Sequence, residues 1–263
     1  MNLGLEGKIA LVCGSSRGLG RAVASELAAE GASVALCSRN AEALTQTAQQ
    51  IEQTTGAATL ALPGDLSVAG EPSRVVEAAR EHFGRIDILI ANGGGPPAGT
   101  FESFDASDWH NATALLLNST VELVRATLPA LKRQRWGRIL AITSIAAKQP
   151  IANLMLSNSL RAAVTGFAST LAREVAKDGI TVNTILPGYT NTERVADLNE
   201  ANASREGVSA AEIRARVEAE IPLGRLAEPE EFAALAAFLV SERASYITAG
   251  AFSVDGGWLR GLF

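Results

Sequence analysis

Seven short apolar runs restrict the fold of this chain more than any other feature. They are KIALVC (8–13), SVALC (33–37), ATLAL (58–62), IDILIA (86–91), RILAIT (138–143), ITVNTIL (180–186) and AFSVD (251–255). Each is continuous, rich in leucine or β-branched residues, and bounded by Gly, Asp, Asn or Pro, which is the pattern of a strand buried on both faces. Between them, helical periodicity runs at about 18–30, 41–54, 71–83, 107–134, 152–178 and 228–241. Strand–helix alternation of this kind predicts an α/β fold with a doubly wound sheet of seven parallel strands and helices on both faces. The punctuation agrees: Asn40 is placed to cap the second helix, and Gly31, Gly56, Gly84 and Gly179 follow helix ends. The 263 residues suit one α/β domain spanning 1–263, without repeats or linkers. The weakly patterned stretch 191–220, rich in Asn, Glu, Ala and Ser, reads as a helical insertion within that domain, placed to act as a substrate lid.

Charge narrows the partners. Charged residues make up 19% of the chain and the net charge is −5, a balance that gives no support for nucleic acid or an anionic membrane as ligand. The longest apolar run, FAALAAFLV (232–240), is half the roughly 18 residues of a membrane span. The beginning, MNLGLEGKIALVCG, lacks the basic segment, apolar stretch and cleavage site of a signal peptide. The two cysteines, Cys13 and Cys37, fall inside strand-like runs and read as buried thiols in a reducing compartment. A cytoplasmic protein acting on a small molecule is expected. No Cys/His/Asp cluster has metal-ligand spacing.

The first strand runs into GSSRGLG (14–20) and then a helix. Gly14, Gly18 and Gly20 let backbone N–H groups approach a pyrophosphate at a helix N-terminus, where the dipole favours anions. Strand before and helix after is the context that separates this motif from an incidental glycine pattern. After the second strand, an NAD or S-adenosylmethionine site would place a carboxylate to hold ribose hydroxyls. Here Ser38 and Arg39 stand instead, with Arg17 inside the glycine loop. Planar guanidinium donors suit a phosphate, so NADP(H) is expected over NAD(H). Asp65 and Leu66, after the third strand, are placed to meet the adenine.

These residues resemble the short-chain dehydrogenase/reductase family over nearly the whole chain, nearest in style to its 3-oxoacyl-acyl-carrier-protein reductases. CGSSRGLG is similar to the family's cofactor loop and ANGGG (91–95) to its motif after the fourth strand. Asn118 in LLLNST resembles its helix asparagine and Ser144 in AITSIAA its catalytic serine. PGYTNT (187–192) is similar to the loop against the nicotinamide, and the segment from IPLGRLAEPEEF to SVDGG to its C-terminal region. The resemblance implies a Rossmann-type fold and a homotetramer, with a dimer as the fallback. It implies cofactor contacts from Gly14, Ser16, Arg17, Gly18, Leu19, Gly20, Asn92, Gly93, Gly94, Pro187, Gly188 and Thr192, beside Ser38, Arg39, Asp65 and Leu66.

Family chemistry uses a tyrosine and a lysine four residues later. The tyrosine gives or takes the proton as hydride moves, and the lysine lowers its pKa and holds the ribose. In this chain those positions are Ser157 and Arg161, in LSNSLRAAV (156–164). Spacing i, i+4 keeps them on one helix face. A serine hydroxyl is a far weaker acid than a phenol of pKa about 10, and each unit of deficit is about 1.36 kcal/mol. Arginine holds a charge but does not relay a proton. The catalytic set implied is therefore Asn118, Ser144, Ser157 and Arg161.

Replacement donors are few. Tyr189 lies in the nicotinamide loop in a position suited to packing, and Tyr246 reads as structural. Lys148, four residues after Ser144, borders the substrate site and stands either as a donor or anion ligand or as a solvated loop residue. His82 and His110 read as surface or capping residues. Pro96, Pro97, Ile151, Leu154, Met155 and Leu156 are expected to make an apolar ligand crevice. Three functions stay open: an atypical oxidoreductase on a carbonyl or alcohol, a nucleotide-binding sensor or partner subunit without redox turnover, and another NADP-assisted reaction such as a lyase or dehydratase.

Overall fold

The protein is described by a computed structural model over residues 2–262. The tail FSVDGGWLRGLF is therefore seen as far as Leu262, and Met1 and Phe263 lie outside the described residues. All seven apolar runs form strands: β1 (Ile9–Cys13), β2 (Ser33–Ser38), β3 (Thr59–Pro63), β4 (Ile88–Ala91), β5 (Gly137–Ile142), β6 (Ile180–Pro187) and β7 (Ala251–Val254). They make one sheet in the order β3-β2-β1-β4-β5-β6-β7, and every pairing is parallel. The connections reverse direction between β1 and β4, which opens a crevice at the strands' C-terminal ends.

The helices are α1 (Gly18–Ala29), α2 (Ala41–Thr55), α3 (Glu71–Phe83), α4 (Ala106–Thr113), α5 (Ser119–Gln134), α6 (Met155–Val175), α7 (Glu193–Glu206), α8 (Ala210–Glu220) and α9 (Pro229–Leu239). Alternation along each strand sends side chains to two separate cores. Val12, Leu36 and Ile90 pack with Val23 and Leu27 of α1, Leu44 of α2 and Phe232 of α9. Leu11, Ala35 and Leu89 pack with Val75 of α3, Leu123 of α5 and Leu171 of α6. Continuous apolar runs are thus explained: both faces are covered.

Local signals hold in detail. Asn40 Oδ1 accepts from the Ala43 N–H at 3.0 Å, and Gly56 and Gly84 end α2 and α3 in left-handed geometry. The predicted helix 152–178 starts later, at Met155, because Asn153 takes a left-handed φ of 59°. The predicted helix 107–134 is interrupted by a π turn, Ala114–Asn118. Such a turn carries one residue more than the regular repeat. Stretch 191–220 contains α7 and α8, joined by Arg216 pairing with Glu206 and Glu212. No helix among the described residues is long and apolar enough to cross a membrane.

Candidate active site

The glycine loop leaves β1 and is fastened to β2 and α2. Ser15, fully buried, accepts from the Cys37 N–H at 3.1 Å, and Thr47 Oγ1 donates to the Ser16 carbonyl at 3.1 Å. Neither Ser15 nor Thr47 carries a sequence signal of its own, because their role depends on which strand and helix lie alongside. A Cβ on Gly20 would fall 2.1 Å from the Gly14 carbonyl oxygen, so only glycine permits this approach of helix to strand. Arg17 is the extended N-cap residue of α1 and supplies no side-chain cap, and the first turn holds no acidic residue. The first amides of α1 therefore point at the crevice without a side-chain partner, which suits an anion.

Thr192 faces this loop from across the crevice: its Cγ2 would lie 3.6 Å from a Cβ on Gly18. Thr192 is the N-cap residue of α7, just beyond Pro187 and Gly188 at the end of β6. Asn92, after β4, packs against Gly14 so closely that a Cβ there would meet its Nδ2 at 2.6 Å. Gly93 is pressed against the Leu115 carbonyl, and a Cβ would come within 2.4 Å of its oxygen. Expected cofactor residues from three strand ends are thus brought together around one cleft.

At the outer end of the cleft, Arg17 and Arg39 are exposed, and Ser38 is half-buried at the end of β2. Asp65 accepts from the Ser67 N–H and hydroxyl at 3.0 and 2.7 Å. Partial burial pushes its carboxyl up, but these bonds and the field of Arg39 outweigh it and hold the pKa below the ordinary carboxylate value. Leu66 is turned into the core beneath, so it offers only its backbone to the cleft.

The inner end contains the serine and arginine of α6. Ser157 is buried, and its Oγ accepts from Arg161 Nε at 3.3 Å. Arg161 Nη1 donates to the carbonyls of Ile142 (3.0 Å) and Thr143 (2.7 Å), and Nη2 donates to the carbonyl of Gly94. Burial, and then the like charge of Arg194, depress its pKa to about 10, so it remains a cation at neutral pH. Ser144 Oγ accepts from the Ala146 N–H at 3.1 Å and donates to no acceptor among the described residues. It keeps a proton with which to meet a ligand.

Asn118 closes the π turn and is exposed, while Leu116, two residues earlier, is buried between α4 and α6. Leu156 departs from expectation. It is fully buried with Ala112, Leu116 and Leu160 between α4 and α6, and does not line the crevice. Lys148 is exposed and makes no hydrogen bond through its ammonium. Tyr189 packs edge-to-face on Trp258, with ring centroids 6.0 Å apart, and burial followed by the field of Glu220 raises its pKa. Tyr246, His82 and His110 are exposed.

The wall beyond Gly94 is built from two loops joined by backbone. Gly99 donates to the Asn153 carbonyl at 2.6 Å, and the Met155 N–H donates to the Gly99 carbonyl at 3.2 Å. Asn158 holds the second loop through both backbone groups of Ile151. Arg194 of α7, which nothing in the sequence singled out, lays its guanidinium across Gly95 and donates to the Pro96 carbonyl at 2.8 Å. Among the described residues, no group of three or more His, Cys, Asp or Glu is placed to hold a metal ion.

A family model described as Enoyl-(Acyl carrier protein) reductase matches residues 14–259. The chain is 34% identical over 255 residues to the 3-oxoacyl-[acyl-carrier-protein] reductase of Salmonella typhimurium, covering 97% of this chain and 98% of that one. Its fold is similar to the crystal structure of L-sorbose reductase from Gluconobacter frateurii complexed with NADPH and L-sorbose, with 35% identity, full coverage of both chains and a TM-score of 0.95. It is also similar to the NADP-bound 3-oxoacyl (acyl-carrier-protein) reductase of Agrobacterium tumefaciens, at 32% identity, 97% and 96% coverage and a TM-score of 0.88.

Proposed function

The chain belongs to the short-chain dehydrogenase/reductase family of oxidoreductases, and from that premise we propose that it uses NADP(H) to reduce a carbonyl, or oxidise an alcohol, of a largely apolar substrate at a non-standard catalytic site. One observation carries the proposal: the uncapped glycine loop with Arg17, the Ser38–Arg39 pair, and Ser144 with the Ser157–Arg161 pair bonded beside it follow the C-terminal ends of β1, β2 and β5 on one edge of the sheet. Relatives crystallised with NADP or NADPH support the cofactor assignment. A 3-oxoacyl relative supports a carbonyl substrate.

When bound, the cofactor supplies or accepts the hydride. The chain's residues do the rest. Gly14, Ser16, Arg17, Gly18, Leu19 and Gly20 hold the pyrophosphate through backbone amides, with Thr192 closing from the opposite side. Arg17, Ser38 and Arg39 take the ribose phosphate, Asp65 and Leu66 border the adenine, and Asn92, Gly93, Gly94, Pro187 and Gly188 frame the ribose and nicotinamide. Ser144 orients the substrate oxygen with a hydrogen bond from its free hydroxyl and keeps the proton. Arg161 takes the ribose and charge role that the family gives to lysine. Ser157 fills the tyrosine's place without its acidity, so the substrate's proton comes from water, from the substrate itself or from Lys148. Helices α7 and α8 form a lid over the apolar wall of Pro96, Pro97, Ile151, Leu154 and Met155. The assembly is a cytoplasmic homotetramer, or failing that a dimer, which covers exposed apolar groups such as Phe101 and Leu262.

The alternative is a nucleotide-binding protein without redox turnover, and the Ser157–Arg161 replacement is what favours it. Titrating the protein with NADPH and NADH and then following reduced-nicotinamide absorbance over a broad carbonyl panel separates the two. NADPH binding with turnover of some carbonyl supports the oxidoreductase. Binding with no turnover across the panel supports the alternative, and no nucleotide binding overturns both.

A further inference from the structure

Two arginines meet at one turn of the crevice without a counter-ion. Arg161 reaches the carbonyl of Gly94 from α6, and Arg194 covers Gly95 and reaches the carbonyl of Pro96 from α7. All the hydrogen bonds Arg161 makes go to neutral oxygens: three carbonyls and the Ser157 hydroxyl. They use four of its five N–H groups, so one donor remains. Neither arginine forms an ion pair within 4 Å among the described residues; the acid nearest Arg194 in influence is Asp197, one turn along α7. Close by, Thr143 lends its carbonyl to Arg161 and keeps a buried Oγ1 without a partner.

Arg161 is half-buried and Arg194 exposed, and their like charges give this turn of the crevice a positive field that no acid within 4 Å balances. An oxyanion supplies what is missing, because guanidinium groups match a carboxylate in geometry as well as charge. The position indicates whose oxyanion it is. The cofactor's phosphates belong to the amides of α1 and to Arg17 and Arg39, at the far end of the cleft. Arg194 instead lies against Gly95 and Pro96, where the loop pairs through Gly99 with Asn153–Met155 to form the substrate wall.

We propose that Arg194, with the charge of Arg161 beside it, binds the carboxylate of the substrate, so that the preferred substrate is an oxo acid with an apolar body, not a neutral ketone or a thioester. This rests on the NADP(H)-dependent reading above and narrows its substrate class. Arg194 is carried by α7 and is already bonded to the loop after β4, so the carboxylate would be held between the two.

The test uses the full-length protein and measures binding, so that it does not depend on turnover. Isothermal calorimetry compares hexanoate with hexanamide, a charged and a neutral ligand of the same length, on the NADPH-loaded protein. Hexanoate is expected to bind about tenfold or more tightly, the worth of a charge-assisted pair. Arg194→Gln is expected to abolish that preference while leaving the NADPH dissociation constant within about twofold, and Arg194→Lys to keep part of it. Equal binding of the two ligands to the unmodified protein overturns the proposal. So does an Arg194→Gln variant that weakens NADPH as much as hexanoate, because the arginine then serves the cofactor's phosphates. Failure of NADPH to bind, with the hexanoate preference intact in the free protein, counts against the NADP(H) reading and not against the anion site.

Discussion

Arg161 Nε points at Ser157 Oγ from 3.3 Å across one turn of α6. The two residues expected on a common helix face are therefore in contact, and the serine hydroxyl accepts a bond from a cation. Such a bond favours an oxygen that keeps its lone pairs exposed, but it does not bring the hydroxyl's acidity near that of a phenol. The guanidinium is at the same time bound to three backbone carbonyls and stays protonated at neutral pH. In the proposed function the pair holds and orients, and supplies no proton relay.

The proposed preference for NADP(H) rests on the end of β2. Arg39 and Arg17 are exposed at the outer cleft without a carboxylate standing where NAD's ribose would need one. Replacing Arg39 with Asp removes one phosphate ligand and adds a ribose ligand. Loss of a charge-assisted contact of about 1.5–3 kcal/mol corresponds to a roughly 10- to 100-fold weakening of NADPH. Fluorescence titration of the variant should show NADH bound more tightly than NADPH. Equal affinities in the unmodified protein would remove the basis for assigning the arginines to a phosphate.

Gly20→Ala places a methyl 2.1 Å from the Gly14 carbonyl oxygen, a backbone atom that cannot swing aside. The loop must then part from the helix. The expected result is a folded protein by circular dichroism with NADPH affinity reduced by about a hundredfold or more, or a protein too unstable to purify, a cost of several kcal/mol by either route. A variant that binds NADPH normally would mean that the amides of α1 are not the cofactor's ligands.

Asn118 and Leu116 separate activity from stability. Asn118 is exposed, whereas Leu116 is buried between α4 and α6. Asn118→Ala, at a proposed member of the catalytic set, is expected to lower turnover while changing stability by less than about 0.5 kcal/mol. Leu116→Ala is expected to cost about 2–5 kcal/mol in urea denaturation. Unchanged turnover in Asn118→Ala would remove the asparagine from the proposed site.

Cys13 and Cys37 lie opposite each other on β1 and β2, and both are buried. Burial pushes the Cys37 thiol up to about 12 and Cys13 well above its ordinary value. Native thiols are therefore expected to resist iodoacetamide at pH 8 and to react on unfolding. The same shifts give stability a pH dependence of definite sign. The unfolded thiols ionise above about pH 8.5 while the folded ones stay neutral, so their stabilising contribution is complete below that pH and is lost as pH rises toward 12. Cys37→Ala should flatten the fall in stability between those values; an unchanged slope would assign the alkaline loss to other groups.

The strands and their parallel sheet were legible because burial on both faces writes itself as continuous apolar runs, and the glycine loop because backbone approach demands glycine whatever surrounds it. The π turn at Ala114–Asn118 was not legible, because it leaves no mark on a residue count. Leu156 was assigned to the crevice because an apolar residue reads alike whether a ligand or a neighbouring helix covers it. Arg194 was invisible for the opposite reason. A cation in a polar helix reads as solvated until the fold brings it onto a glycine.

The most direct measurement of the central claim is the rate of NADPH oxidation with an ordinary 3-oxoacyl thioester, compared among the unmodified protein, Ser157→Ala, Lys148→Ala and the double variant Ser157→Tyr with Arg161→Lys. The account predicts slow or undetectable turnover by the unmodified protein, no more than about a twofold further change in Ser157→Ala, and a rise of about a hundredfold in the double variant as a phenolic acid is restored. Rapid reduction by the unmodified protein, unaffected by Lys148→Ala and lost in Ser157→Ala, would contradict it by making Ser157 the proton donor.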